Sequence, residues 1–265
     1  MKTRKKEIKE IVKEKYSKIA EQSQKANCGC SCVDHDIDYT IFSESYQKLE
    51  GYNPDADLNL GCGIPTEYAG IRPGDTVLDL GSGAGNDCFV ARALAGETGR
   101  VIGLDFSDAM VAKARKNVER LGYTNVEFLS GDIEEMPVPA ETADVVISNC
   151  VLNLVPDKQK AFSGIYRVLK PGGHFCISDV VLSGALPEGL KNDAVMYAGC
   201  VAGAIQQEKY LDIIRGSGFK NIGIKKSKEI ILPDGLLKNY LSENEIREFR
   251  ESQTGIFSIT VVAEK

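Results

Sequence analysis

A glycine-rich turn in residues 77–85 constrains the fold more than any other part of the chain. It reads Val-Leu-Asp-Leu-Gly-Ser-Gly-Ala-Gly. The apolar residues favour a buried strand, and the three glycines allow a tight turn into a helix and let a ligand lie against bare backbone. The spacing is Gly-x-Gly-x-Gly, not the Gly-x-Gly-x-x-Gly that cradles a pyrophosphate in dinucleotide-binding proteins. Asp79, just before the turn, suits a cationic ligand better than a phosphate. An ordinary strand-to-helix turn is the alternative.

Apolar segments that end in acids follow the glycine turn. The segment 100–105 predicts a second strand that ends in Asp105, about 20 residues beyond the turn, where doubly wound folds place a carboxylate for ribose hydroxyls. Two further strands are predicted at 125–132, ending in Asp132, and at 143–150. A helix, a Leu-Lys-Pro-Gly-Gly turn and a fifth strand follow within 162–179. Two late segments, 220–231 and 255–264, predict strands that close the sheet, one of them antiparallel.

Helical periodicity separates these strands, so the sequence predicts a doubly wound α/β sheet of seven strands with helices on both faces. The predicted helices are 3–24, which is amphipathic, then a short one at 40–50, and 86–95, 107–121, 157–169, 188–199 and 207–216.

Composition excludes several classes of partner. The net charge is −6, with no basic excess that would point to nucleic acid. No stretch approaches the length of a membrane span, and no apolar signal core follows the lysine-rich N-terminus. We therefore expect a cytoplasmic protein without nucleic-acid or membrane partners, and a monomer. In a reducing compartment its 8 cysteines serve as ligands, nucleophiles or core residues rather than in disulfides.

The cysteines divide into core positions and candidate site positions. Cys88 lies in a predicted helix and Cys176 in a predicted strand, and both are most simply small core residues. Three of the others, Cys28, Cys30 and Cys32, lie in a dense Cys-Gly-Cys-Ser-Cys loop, and Cys62 lies between two glycines. Cys150 lies at the end of the fourth strand, where α/β folds open their ligand crevice, and Cys200 lies beyond the core.

The Asp-Leu-Gly-Ser-Gly-Ala-Gly motif, the strand-end acids and the Leu-Lys-Pro-Gly-Gly turn together resemble class I S-adenosylmethionine-dependent methyltransferases. The resemblance implies a Rossmann-like sheet, S-adenosylmethionine as cofactor, and an Asp132 that accepts from the adenine amino group. Met110 packs either on the adenine or in the core. The expected cofactor-binding residues are Asp79, Gly81, Ser82, Gly83, Asp105, Phe106, Met110, Asp132, Ile133 and Asn149.

Three cysteine motifs narrow the resemblance. Leu-Gly-Cys-Gly-Ile-Pro around Cys62, Ser-Asn-Cys-Val-Leu-Asn-Leu around Cys150 and Gly-Cys-Val-Ala-Gly-Ala around Cys200 resemble arsenite methyltransferases over about residues 25–235. The resemblance implies that these three thiolates gather one arsenic(III), a soft ion that favours sulfur. It also implies an N-terminal cysteine, for which Cys32 is preferred over Cys28 and Cys30. The implied substrate is arsenite or its thiol conjugates, with a thiol reductant such as thioredoxin or a low-molecular-weight thiol.

The expected organisation has three parts. Residues 1–66 form an N-terminal helix and cysteine-rich loop, 67–181 the S-adenosylmethionine-binding core, and 182–265 an arsenic-binding segment with the closing strands. Two alternatives stay open. A carbon methyltransferase of quinone or sterol type would share the core motifs but leave Cys62, Cys150 and Cys200 unexplained. A zinc-holding or metalloid-sequestering protein fits less well, because the thiols lack the paired C-x₂-C spacing of zinc ribbons.

Overall fold

One mixed sheet organises the part of the chain that the computed structural model describes, residues 2–22, 43–191, 201, 203–252 and 254–265. Its strands are β1 (Thr76–Leu80), β2 (Arg100–Asp105), β3 (Val126–Ser130), β4 (Ala143–Asn149), β5 (Leu169–Ser183), β6 (Lys220–Glu229) and β7 (Gly255–Glu264). The helices described are α1 (Lys2–Gln22), α2 (Asn86–Ala95), α3 (Asp108–Leu121), α4 (Lys158–Val168), α5 (Glu188–Lys191), α6 (Gln207–Gly216), α7 (Asp234–Leu237) and α8 (Glu243–Glu251).

The strand order is β3-β2-β1-β4-β5-β7-β6. Strands β1 to β5 pair in parallel, and β7 runs antiparallel to both β5 and β6. This confirms the predicted seven-stranded, doubly wound sheet with an antiparallel strand. The order reverses between β1 and β4, which is the point where such sheets open a crevice for ligands at the carboxyl ends of their strands.

Apolar side chains on both faces of the sheet hold the helices. Val77 packs with Phe89 of α2 on one face, whereas Leu78 and Leu80 pack with Phe162 of α4 on the other. This alternation follows from the period of two in a strand, and it makes β1 buried on both sides. Among the described residues, no helix is long and apolar enough to cross a membrane.

The glycine turn begins α2 as the sequence predicts. Gly85, at the N-cap of α2, has φ +101°, and Gly81 has φ +72°, a region that favours glycine. The main-chain N–H of Gly81 donates to the carbonyl oxygen of Leu104 in β2 at 2.7 Å, so the turn is fixed to the neighbouring strand. Predicted helices 86–95 and 107–121 are confirmed, the second beginning at Asp108 because Ser107 is its N-cap.

Two predicted strand ends are wrong. β3 ends at Ser130 rather than at Asp132, because the Asp132 carboxylate instead caps a short 3₁₀ helix by accepting from the Glu134 N–H at 2.9 Å. β4 ends at Asn149, and Cys150 follows it with φ +61°, outside the strand conformation.

Other boundaries differ less. The Leu-Lys-Pro-Gly-Gly turn interrupts the start of β5, where the pairing with β4 jumps from Ala143–Leu169 to Val145–His174. The short helix expected at 40–50 is wrong for 43–50, which form turns. Helix α5 covers 188–191 of the expected 188–199, and the rest lies outside the described residues. The three-part division at 66/67 and 181/182 stays a prediction.

Candidate functional site

A cleft opens at the carboxyl ends of β1 and β4. It encloses about 1120 Å³, a volume that includes space open to solvent, and suits a ligand of nucleoside size. The residues that the sequence predicts to bind a cofactor all line it: Asp79, Gly81, Ser82, Gly83, Asp105, Phe106, Met110, Asp132, Ile133 and Asn149. Cys150 lines it as well. The cleft therefore brings the glycine turn, the strand-end acids and one predicted thiol together.

The glycine turn presents bare backbone to this cleft. A Cβ atom at Gly83 would have no heavy atom within 4 Å, whereas one at Gly81 would lie 2.4 Å from Val151. Between them, the buried Ser82 Oγ has no hydrogen-bond partner among the described residues. A buried hydroxyl without a partner costs free energy, so this atom is suited to a ligand that supplies one.

Acidic side chains give the cleft its charge. Burial raises the pKa of Asp79 well above its usual range, and the charge of Asp87 raises it further. Burial also raises the pKa of Asp87 to about 6, against hydrogen bonds from Tyr46 and Asn149 that lower it. The Cys88 thiol, the residue expected to fill the core, donates to Asp79 Oδ2 at 3.2 Å. Carboxylates crowded in this way favour a cationic ligand, which relieves their mutual repulsion.

Asp105 lies at the end of β2 beside the glycine turn. Its Oδ2 accepts from the Gly83 N–H at 2.9 Å, and its Oδ1 accepts from the Ser107 N–H at 2.8 Å. Burial raises the pKa of Asp105 to about 6 in spite of these bonds. The carboxylate therefore both fixes the turn and offers remaining lone pairs to the cleft.

Helix α1 covers the end of the cleft near Asp132. Lys9, Val12 and Tyr16 line the cleft from this helix. Lys9 Nζ donates to Asp132 Oδ2 at 2.6 Å and to Glu134 Oε2 at 2.7 Å. Burial lowers the pKa of Lys9, but these two bonds outweigh it and raise the pKa. The predicted helix thus packs against α3 and the segment that follows β3, and sequence periodicity did not indicate its place in the cleft.

Two of the predicted arsenic ligands lie together beside the cleft. Cys62 is 0% exposed and Cys150 is 3% exposed, and both belong to one buried apolar cluster with Leu154 and Val180. Val201, which directly follows Cys200 in the sequence, is fully buried in the same cluster. Cys88 and Cys176 belong elsewhere: neither packs in this cluster, and Cys176 packs against α2.

Asn149 joins the thiols to the cleft. Its Oδ1 accepts from the Cys62 N–H at 3.0 Å, and its Nδ2 donates to the Gly63 carbonyl at 2.7 Å. Nδ2 also lies 2.8 Å from Tyr46 Oη and 3.2 Å from Asp87 Oδ2. Sequence analysis missed Tyr46 and Asp87. Asp87 was detectable as an acid in the first turn after the glycines, but nothing in the sequence pointed to Tyr46.

A buried acid–phenol pair lies behind the thiols. Tyr210 Oη donates to Asp179 Oδ2 at 3.0 Å. Burial raises the pKa of Asp179 to about 7, against the Lys158 charge and the Tyr210 bond, which lower it. Burial raises the pKa of Tyr210 as well, and the charges of Asp179, Cys62 and Cys150 add to this effect. The phenol is therefore within electrostatic range of both thiols.

The remaining predicted site residues lie outside the described part of the chain. These are Cys200 and the N-terminal candidates Cys28, Cys30 and Cys32. Within the described residues, no group of three or more His, Cys, Asp and Glu side chains is arranged to hold a metal ion.

Comparisons with known proteins agree with this geometry. A family model described as "Methyltransferase domain" matches residues 71–218. The arsenite methyltransferase of Halobacterium salinarum is 43% identical over 235 residues, which cover 84% of this chain and 60% of that protein. The arsenite methyltransferase of Aquipseudomonas alcaligenes is 36% identical over 190 residues, or 69% of this chain and 54% of that protein.

A solved structure is similar over the same region. The arsenic(III) S-adenosylmethionine methyltransferase from Chlamydomonas reinhardtii superposes with a TM-score of 0.65 at 36% identity, and the match covers 77% of this chain and 67% of that one. The chain thus spans between about half and two thirds of the length of these three relatives.

Proposed function

Because the chain belongs to the methyltransferase domain family, we propose that it transfers a methyl group from S-adenosylmethionine to trivalent arsenic held by cysteine thiolates. One observation carries the proposal. The buried Cys150 lines the cleft, and the buried Cys62 is hydrogen-bonded to the residue before Cys150. Core methyltransferase motifs alone do not require thiols at these positions, whereas a soft trivalent ion does.

The cleft fits S-adenosylmethionine on features of its own. When bound, this cofactor supplies an electrophilic methyl group on a positively charged sulfur. Asp79 provides a counter-charge for the cationic methionine part, which lies along the backbone of Gly81–Gly83. The partnerless Ser82 Oγ meets it there. Asp105 accepts from the ribose hydroxyls.

The adenine end is assigned to the residues nearest α1. Met110 is 1% exposed at the start of α3 and lines the cleft, so a place against the adenine face and a place in the core are compatible. Phe106 and Ile133 form the apolar wall there. Asp132 keeps its assignment to the adenine amino group, although Lys9 and the Glu134 N–H already hold its two oxygens. The adenine must then share this carboxylate with them.

Cys62, Cys150 and Cys200 are assigned as the ligands of arsenic(III), with Cys32 as the N-terminal cysteine that delivers it. Three sulfurs in a pyramid leave a lone pair on arsenic, and transfer requires that this pair face the methyl group. The apolar cluster around Cys62 and Cys150 keeps water and competing ligands away from the arsenic. The chain's contribution is therefore mainly positioning.

The wider setting follows from the thiol chemistry. The proposed substrate is arsenite or its thiol conjugates, and a thiol reductant such as thioredoxin or a low-molecular-weight thiol restores the cysteines. We place the reaction in the cytoplasm, where thiols stay reduced, and we expect a monomer.

The test measures methyl transfer from S-adenosylmethionine with arsenite, with a quinone precursor and without an acceptor, and it measures the metal content of the same sample. We expect methylated arsenicals with arsenite alone. Methylation of the quinone precursor instead would favour a carbon methyltransferase. Stoichiometric zinc without methyl transfer would favour a metal-binding protein.

Single cysteine variants then test the ligand set. Methylation of the lone pair would give a four-coordinate arsenic(V) with all three sulfurs still bound. The thiol reductant would then take one of these sulfurs as a disulfide, and the resulting methylarsenic(III) needs only two thiols. We therefore expect Cys150→Ser or Cys200→Ser to abolish methylation of both arsenite and methylarsenite, and Cys62→Ser to abolish only the first. Cys176→Ser, a buried thiol outside the site, is the matched control. Full arsenite activity in Cys150→Ser would contradict the proposal itself. Equal loss of both steps in Cys62→Ser would contradict only the assignment of Cys62 to the first step.

A further inference from the structure

Asn149 hydrogen-bonds the backbone on both sides of Cys62, at the Gly61–Cys62 peptide group and at the Gly63–Ile64 peptide group. Its Oδ1 accepts the Cys62 N–H at 3.0 Å and its Nδ2 donates to the Gly63 carbonyl at 2.7 Å. The amide offers an acceptor and a donor on two separate atoms of one short side chain, so neither an ionised carboxylate nor an apolar residue of similar size makes both bonds.

The loop that carries Cys62 is seated tightly on this amide. A Cβ atom at Gly61 would lie 2.5 Å from Asn149 Nδ2, and one at Gly63 would lie 2.6 Å from Ser178 Oγ. Ser258 Oγ donates to the Cys62 carbonyl oxygen from the other side. The loop is thus built from residues small enough to lie directly on the end of β4 and on residues within β5 and β7.

The next residue, Cys150, is held by its own backbone. Its N–H donates to the Ser178 carbonyl at 2.7 Å, and its φ of +61° turns the chain out of the strand direction. A non-glycine residue in this region is uncommon and persists where the surroundings fix it. Asn149 therefore sets the position of one thiol by hydrogen bonds and precedes the other in the chain.

We propose that Asn149 is a positioning residue for the thiol pair: it docks the Cys62 loop against the Cys150 turn, and it does not contact the cofactor. This departs from its sequence-based assignment to cofactor binding, and it rests on the proposed function only for its consequence on arsenic. The Asn149 amide has two hydrogens, and three protein oxygens compete for them: the Gly63 carbonyl, Tyr46 Oη and Asp87 Oδ2 all lie within hydrogen-bonding distance of Nδ2. Its polar atoms are therefore used within the protein.

The first measurement is the rate at which maleimide labels each cysteine of the full chain, followed by mass spectrometry. A buried thiol reacts through local opening, and losing two backbone hydrogen bonds favours that opening by about tenfold or more. We expect Asn149→Ala to raise Cys62 labelling at least about tenfold and to leave Cys176 labelling unchanged. Asn125→Ala is the matched control, since Asn125 also makes two side-chain hydrogen bonds to loop backbone, to the carbonyls of Gly96 and Gly99, away from the thiols.

Cys176 also reports whether the variant folds. If Cys176 labels faster together with Cys62, the fold has loosened, and Asn149→Asp decides the question. The introduced carboxyl accepts from the Cys62 N–H when ionised but donates to Gly63 only when protonated. Protection of Cys62, taken relative to Asn149→Ala at the same pH, should then return as the pH falls. Protection that does not change with pH would overturn the proposal.

The second measurement is cofactor affinity by calorimetry. We expect Asn149→Ala to bind S-adenosylmethionine within about threefold of the unaltered protein, and to lose arsenite methylation while retaining methylarsenite methylation. A tenfold loss of affinity with unchanged Cys62 labelling would overturn the proposal and make Asn149 a cofactor contact. If the unaltered protein methylates no arsenical, the proposed function fails, but labelling and affinity still decide the role of Asn149.

Discussion

Asp105 is the side chain whose loss should weaken cofactor binding most directly. Asp105→Ala removes the acceptor for the ribose hydroxyls and the bond that holds the Gly83 N–H. We expect at least a tenfold loss of affinity, or about 1.4 kcal/mol, as for a buried charged hydrogen bond. Calorimetry with S-adenosylmethionine measures it. Glu127→Ala, which removes an exposed acid from β3, should leave the affinity unchanged, and equal affinity in both variants would remove Asp105 from this role.

Among single residues, the sequence predicted those site residues whose position is set by the strand that carries them. Asp79 lies one residue before the end of β1 and Asp105 ends β2, and short apolar runs identify both strands, so the places of these acids at the cleft follow from the topology. Tyr46 was unpredictable because it reaches Asp87 across 41 residues of chain. Asp132 was misplaced within its strand because its side chain bonds a nearby N–H, which competes with the ladder.

Among the elements, α1 is held over the cleft by polar contacts and by Val12, which is buried in the apolar cluster of Cys62 and Cys150. Lys9 bonds Asp132 and Glu134, and Ser17 Oγ lies 3.0 Å from Ser107 Oγ. We expect Lys9→Ala to loosen α1, seen as faster amide hydrogen exchange throughout the helix, and to speed dissociation of S-adenosylmethionine by about tenfold, the equivalent of about 1.4 kcal/mol.

Lys18→Ala provides the comparison, because Lys18 forms an exposed pair with Glu14 of the same helix. Such pairs contribute little to stability, so exchange and dissociation should stay near those of the unaltered protein. If both variants release the cofactor at the unaltered rate, α1 does not close the cleft.

Elements with a strong period were predictable, and short ones were not. The bounds of β2 and α2 agree with the sequence because apolar runs, glycines and caps all end at the same residues. Helices α7 and α8 were missed. The signal for α8 was present as Ser242 followed by Glu245, a capping box that the structure forms. For α7, four residues are too few to show a helical period.

For the whole molecule, alternating strands and helices were enough to predict the sheet, since connections of this kind leave few topologies. The meeting of Cys62 with Asn149 was not predictable, because it joins residues 87 apart through a loop without periodicity. Position in the crevice did indicate Cys150, which directly follows β4. The sheet topology thus determines the position of Cys150, whereas the docking of its loop on Asn149 determines the position of Cys62.

Three buried carboxylates link the stability of the whole molecule to pH and to the binding of a cation. Burial raises the pKa values of Asp87 and Asp105 to about 6, and it also raises the pKa of Asp79 well above its usual range. Since folding raises these values, the folded protein holds more protons than the unfolded chain between about pH 4 and 6, and the acids cost stability as the pH rises. A bound cation favours the ionised acids and offsets this cost.

We therefore expect the affinity for S-adenosylmethionine to rise with pH from 5 to 7, by up to about tenfold per pH unit for each acid that ionises on binding. Calorimetry in buffers of different ionisation enthalpy should show protons released from the protein below about pH 6. S-adenosylhomocysteine, which lacks the sulfonium charge, is the comparison and should show a weaker dependence. The same slope for both ligands would assign the effect to the ribose contact at Asp105 alone. If the affinity does not change between pH 5 and 7 while the protein stays folded, these carboxylates do not bind the cationic part of the cofactor.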